Sequence, residues 1–150
     1  MRILICFDGS EQARHAVGAA ASLFGGAQAE VLHVWEPVER IVARYAVLAP
    51  FMGEELGEAD ASAEAESTAT AAAGVELAAA AGLTAAARTA RLETTVWEAV
   101  LAAADETDAD VIVTGTRSLH GVREIVSNTL SHALLQHSAR PVLAIPMPLS

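Results

Sequence analysis

Residues 110–118, DVIVTGTRS, run from a strand-length apolar segment into a glycine and then into a polar bend. Read alone, Asp110 to Gly115 is a buried strand whose last residue opens a loop. The N-terminal run Arg2 to Phe7, RILICF, has the same form and is broken by Asp8-Gly9-Ser10. Neither run alternates apolar with polar residues. Continuous apolar strands are those that helices cover on both faces, which is the habit of parallel sheets. These two stretches decide the fold class: α/β.

The remaining segments extend that reading. Glu11 to Phe24 places Ala13, Val17, Ala20, Ala21 and Phe24 at helical spacing. Ser10 or Asp8 can cap this helix, Glu11 suits its positive end, and Gly25-Gly26 ends it. Ala29 to Trp35 is a second strand. Residues 36–58 show no clear period and contain Pro37, Pro50, Gly53 and Gly57, so they form a long excursion. Ala59 to Ala81 is a strong helix former despite Gly74, rich enough in alanine to lie close on a sheet. Thr84 to Leu92 is a strand, Thr95 to Glu106 a helix, Asn128 to His137 a helix, and Pro141 to Ile145 a last strand. The order is βαβ, excursion, αβαβαβ, in one domain spanning residues 1–150.

Composition narrows the function. The 150 residues are 53% apolar but only 4% aromatic, so the core is aliphatic. A net charge of −10 argues against general binding to nucleic acid, which needs a basic face. All nine basic residues are arginine. The absence of lysine excludes a Walker-type phosphate loop, a kinase strand lysine and any Schiff base. The sequence shows no membrane-length apolar run, and the short apolar N-terminus meets Asp8 at once, so a cytoplasmic location is expected. The single cysteine, Cys6, reads as a small buried hydrophobe.

In open parallel sheets, ligands sit beyond the carboxyl ends of strands where the strand order reverses. Strands one and four are the usual neighbours there, which brings Asp8 and Gly115 to one crevice. Charge agrees: from Gly115 to Arg140 the chain holds a single acid, Glu124, against Arg117, Arg123, Arg140 and three histidines.

Taken together, the opening ILICFDGS, VLHV at 31–34, ADVIVTGTR at 109–117, Ser131 to His137 and RPVLAIP at 140–146 resemble the universal stress proteins over the whole chain. The resemblance implies an open five-stranded parallel sheet in the order 3-2-1-4-5 with helices on both faces. This is a Rossmann-like fold of the adenine nucleotide alpha hydrolase type. It implies a homodimer, ATP or AMP binding in one subgroup (with Mg²⁺ alongside ATP), and no nucleotide in another. The family's glycine pattern, laid on this chain, falls on Gly115, Ser118, Asn128 and the hydroxyl of Thr129, so two of three glycines are replaced. The nucleotide-binding residues it implies are Phe7, Asp8, Val34, Thr114, Gly115, Arg117, Ser118, Asn128, Thr129, Leu130 and Ser131. Asp8 would lie by the adenosine and the Val34 backbone by the adenine.

Glycine in such a loop permits positive φ and close approach of backbone N–H groups to an anion. Asn128 tolerates the left-handed conformation, and Ser127, Thr129 and Ser131 sit at a helix start that attracts anions. The competing reading is that Ser127 or Asn128 caps a helix and the loop only connects, leaving a member that acts through protein contacts. Asp8 can equally be a turn residue, and Arg117 a solvated charge. An enzymatic reading lacks an obvious base or nucleophile. His33 reads as a satisfied or edge imidazole, and His132 and His137, five apart on a helix, point in different directions. The last strand, with Val142, Leu143, Ala144 and Ile145, would be an apolar edge best covered by the same strand of a second copy, the alternative being a monomer whose edge is blunted by Pro141 and Pro146.

Overall fold

The computed structural model describes residues 1–45, 55–116 and 129–148. It contains β1 (Arg2–Cys6), α1 (Glu11–Leu23), β2 (Gln28–Trp35), α2 (Val38–Arg44), α3 (Glu55–Ala80), β3 (Thr84–Arg91), α4 (Val96–Glu106), β4 (Val111–Thr116), α5 (Leu130–His137) and β5 (Val142–Pro146). The five strands form one sheet in the order β3-β2-β1-β4-β5, with every pairing parallel. The expected order and fold class are therefore observed. Ile3, Leu4 and Ile5 pair with Val111, Ile112 and Val113 at the centre, where the order reverses.

Each face of the sheet is closed by its own aliphatic cluster. Ile3, Ile5, Phe7 and Val31 pack with Ala13, Ala16, Val17 and Ala20 of α1 and with Ala78 of α3. Leu4, Cys6, Leu32 and Ile112 pack with Val100, Ala103 and Ala104 of α4 and Leu134 of α5. Alternate residues of one strand thus feed opposite layers, which is why β1 reads as apolar throughout.

The helix ends follow local chemistry. Ser10 caps α1 by accepting from the N–H of Ala13, and Glu11 stands in the first turn. Thr95 caps α4: its hydroxyl accepts from the Glu98 N–H at 3.3 Å and donates to the Glu98 carboxylate at 2.6 Å. The hydroxyls of Thr94 and Thr95 hold the Glu98 carboxyl below the usual carboxylate range.

The excursion differs from its expectation. It contains α2, which starts after Pro37, a residue whose fixed φ suits a helix start. Long-range contacts stabilise this short helix. The Val38 N–H donates to Asp60 of α3 at 2.7 Å, and the Arg40 guanidinium donates to the carbonyls of Glu93 and, at 2.9 Å, Thr94. Arg91 lies 6.0 Å over the buried Trp35 ring and pairs with Glu39 and Glu93. The part of the excursion at 46–54 lies outside the described residues. No described helix is long and apolar enough to cross a membrane.

Helix α3 seats a stripe of small residues on the sheet: Ser67, Ala71, Gly74 and Ala78. Their spacing of four, three and four residues keeps them on one face. A Cβ at Gly74 would lie 2.6 Å from Val31 and 2.8 Å from Phe7, both fully packed. Alanine there gains about 1 kcal/mol of helix propensity. Overpacking costs about 1–3 kcal/mol, and with two buried neighbours unable to retreat the cost wins. Urea unfolding of Gly74→Ala is expected to show a lower midpoint than the parent; a raised midpoint would contradict the close seating of α3.

Candidate functional site

Beyond the tips of β1 and β4 lies a crevice of about 330 Å³. The order reversal makes it: α1 leaves β1 on one face while α4 covers the other, so the described elements diverge at this point. Its floor and walls are Cys6, Phe7, Leu32 and Val34 from the central strands, Val96 and Val100 from α4, and Leu130 from α5. Asp8, Ser10, His33, Thr114 and Gly115 supply its polar rim.

Most of the residues implied by the resemblance meet here. Phe7, Asp8, Val34, Thr114, Gly115 and Leu130 all line the crevice. Arg117, Ser118 and Asn128 lie outside the described residues, as does Ser127. Thr129 and Ser131 stand at the start of α5, but their hydroxyls are engaged. Thr129 is the N-cap, accepts from the N–H of His132 and lies 3.2 Å from the Ser131 hydroxyl. The cap expected at Ser127 or Asn128 is thus Thr129.

Gly115 is glycine because of close approach. A Cβ there would lie 2.3 Å from the carbonyl oxygen of Gln12, in the first turn of α1. The end of β4 and the start of α1 touch backbone to backbone, which fixes one wall of the crevice. Asp8 performs its turn role with one oxygen, accepting from the N–H of Ser10 at 2.9 Å. Its side chain stays exposed at the rim, so the turn role leaves the second carboxylate oxygen open to the crevice.

The backbone of Val34 is placed by strand alternation. The Leu32 carbonyl accepts from the Phe7 N–H at 2.8 Å, so Leu32 turns its peptide groups toward β1. Residues two apart on a strand turn them to the same side. Val34 therefore presents its N–H and C=O on the side where β1 has already ended at Cys6. A donor and an acceptor side by side match the edge of a planar heterocycle.

Two crevice features were not readable as site residues from the sequence. His33 lines the cavity, with Nδ1 2.6 Å from the hydroxyl of Ser67, which is 1% exposed. Burial pulls the His33 pKa below its usual value, and Asp8 opposes that pull. Val96, 40% exposed, offers an apolar edge at the mouth. Cys6, buried on the floor, has its thiol pushed up to about 12, first by burial and then by Asp8. Among the described residues no group of three His, Cys, Asp or Glu side chains could hold a metal ion.

A hollow of about 360 Å³ also lies between β3 and α4, apart from the tips of β1 and β4. Its arginines are committed: Arg88 pairs with Glu30 and Glu106, and Arg91 with Glu39 and Glu93. The two tryptophans are packing residues, Trp97 stacking on His137 with ring centroids 4.2 Å apart.

The sequence pattern of the Universal stress protein family matches residues 1–146. No curated protein matches the chain. Among solved structures, a universal stress family protein from Burkholderia pseudomallei is 23% identical with a TM-score of 0.66, over 97% of this chain and 96% of that one. The universal stress protein from Archaeoglobus fulgidus in complex with dAMP is 19% identical with a TM-score of 0.63, over 97% of each chain. A family protein from Arabidopsis thaliana with AMP bound is 11% identical with a TM-score of 0.66, over 99% of this chain and 92% of that one.

The raised pKa of Cys6 gives a simple test of how closed the crevice floor is. A thiol reagent such as Ellman's should leave the native protein unlabelled at mildly alkaline pH and label it fully once unfolded, since only the exposed thiolate reacts. Rapid stoichiometric labelling of the native chain would show an open floor.

Proposed function

This chain belongs to the universal stress protein family, and from that premise we propose that it binds an adenine nucleotide in the crevice between β1 and β4. AMP is the first ligand of this reading, and ATP, with Mg²⁺ on its own phosphates, is the larger one of the same class. The observation that carries the reading is the meeting of Asp8, Gly115 and the Val34 backbone around one cavity. Asp8 has a second carboxylate oxygen for ribose hydroxyls, and Val34 offers a donor and an acceptor to adenine. Phe7, Leu32, Val96 and Val100 exclude water from the base. Thr114, Gly115, Leu130 and the start of α5 at Thr129 and Ser131 border the phosphate end. Nucleotides in the Archaeoglobus and Arabidopsis relatives support the ligand class.

The chain is then a cytoplasmic stress-response regulator that reports or buffers adenine nucleotide, with binding rather than turnover as its activity. Its proposed assembly is a homodimer through β5. That strand ends the sheet, and Val142, Leu143 and Ala144 are half-buried beside Ile145. An apolar strand at a sheet edge invites a matching strand unless it is covered.

Two measurements test this reading. Titration calorimetry should show saturable AMP binding, with affinity at least about tenfold lower in Asp8→Ala, the loss expected when a charge-assisted hydrogen bond is removed. Absence of heat at millimolar AMP in the parent protein removes the ligand. Sedimentation equilibrium at tens of micromolar should give twice the 15.5 kDa chain mass; a species at the chain mass alone removes the β5 dimer.

A further inference from the structure

His33 stands on β2 among otherwise apolar neighbours, yet its side chain faces the cavity. The residue that meets it, Ser67, is the polar member and first residue of the small-residue stripe of α3, near the middle of the helix. The pairing joins residues 34 apart in sequence.

The His33 tautomer sets the hydrogen-bond direction. Ser67 is 1% exposed, and His33 is its hydrogen-bond partner among the described residues. A buried hydroxyl must place its proton. With the neutral ring's proton on Nε2, Ser67 donates to Nδ1. That leaves Nε2 as the ring nitrogen available to the cavity, as a donor.

Protonation is also accommodated. An imidazolium would donate from Nδ1 to the Ser67 oxygen, and the Ser67 hydroxyl would then turn to the carbonyl four residues back. Its helical neighbours already do this: Thr68 donates to the Glu64 carbonyl and Thr70 to the Glu66 carbonyl, each at 3.0 Å. The ring can thus gain a charge without breaking α3.

The charges around the ring are few. From the turn after β1, Asp8 is the charged group whose field reaches it. From α3 comes the Ser67 hydroxyl, with Glu64 and Glu66 exposed to solvent. From β3, Thr89 is its ladder partner, and the flanking Arg88 and Arg91 are tied in ion pairs. Among the described residues lining the crevice, none is Arg, and Asp8 is its one carboxylate. With His33 neutral the described rim is anionic; with His33 charged it is balanced.

We propose that His33 is a residue by which the crevice discriminates ligand charge: held by Ser67, it donates from Nε2, and once protonated it offsets Asp8 and favours a phosphate-bearing nucleotide over the neutral nucleoside. This rests on the nucleotide reading above. The sign is fixed by linkage. An anionic ligand stabilises imidazolium, so it raises the His33 pKa, and its own affinity rises as pH falls.

The test compares AMP with adenosine, in the parent protein and in His33→Gln, by calorimetry between about pH 5 and pH 8. AMP's own phosphate titrates in this window, and the variant cancels that contribution because both proteins meet the same ligand. The parent-to-variant ratio of AMP affinity should rise roughly three- to tenfold on acidification, while the ratio for adenosine stays flat. A second readout needs no variant: the His33 ring resonance should titrate at higher pH with saturating AMP than without ligand, and adenosine should not move it. AMP binding with the same pH profile in both proteins, or a His33 midpoint unmoved by AMP, overturns the inference alone. An absence of AMP binding at every pH overturns the nucleotide reading and this inference with it.

Discussion

The parallel pairing of β1 with β4 is the constraint on which the structure depends. It places the two most apolar strands side by side at the centre and sends their helices to opposite faces. Because β2 lies on one side of β1 and β4 on the other, the connections diverge and a hollow opens at the strand tips. Gly115 then sets how closely the walls approach, since α1 begins against its backbone where any side chain would collide. The crevice is thus a consequence of topology, and Asp8, Val34 and Gly115 are the residues that topology delivers to it.

The second constraint is thickness. With few aromatics, the layers are held by aliphatic and alanine contacts, and α3 rides low on the sheet through Ala71, Gly74 and Ala78. Low seating brings Ser67 within 2.6 Å of His33, so one polar contact is built from the same close approach that excludes water elsewhere. On the other side α2 fastens the segment before α4 through Arg40, and α4 carries Val96 and Val100 to the cavity mouth. A short helix that directly follows β2 thereby holds a wall of the site through a contact 54 residues along the chain.

Much of this was legible in the chain itself. Continuous apolar runs at Arg2–Phe7 and Asp110–Gly115 announced buried parallel strands, and breakers at Asp8, Gly25-Gly26 and Gly82 marked most boundaries. The placement of Asp8 beside Gly115 followed from the order of strands. Helix α2 was hidden because it is short, follows a proline and owes its stability to partners such as Asp60, Glu93 and Thr94, which no local period reveals. Gly74 looked like a defect in a helix and is a packing requirement. His33 reads as a satisfied or edge imidazole and is satisfied, but its partner, Ser67, lies on another element and no local pattern names it. Thr129 replaced its neighbours as helix cap, a shift of one or two residues of the kind that local propensity leaves open.

The central claim is spatial: an adenine nucleotide occupies the hollow beyond β1 and β4. Backbone amide NMR during AMP titration tests it most directly. The account predicts shifts concentrated at Asp8, Gly9, Val34 and Gly115, fading toward the far ends of the strands. Saturable shifts centred instead on the hollow between β3 and α4, with Asp8 and Gly115 unmoved, would contradict it.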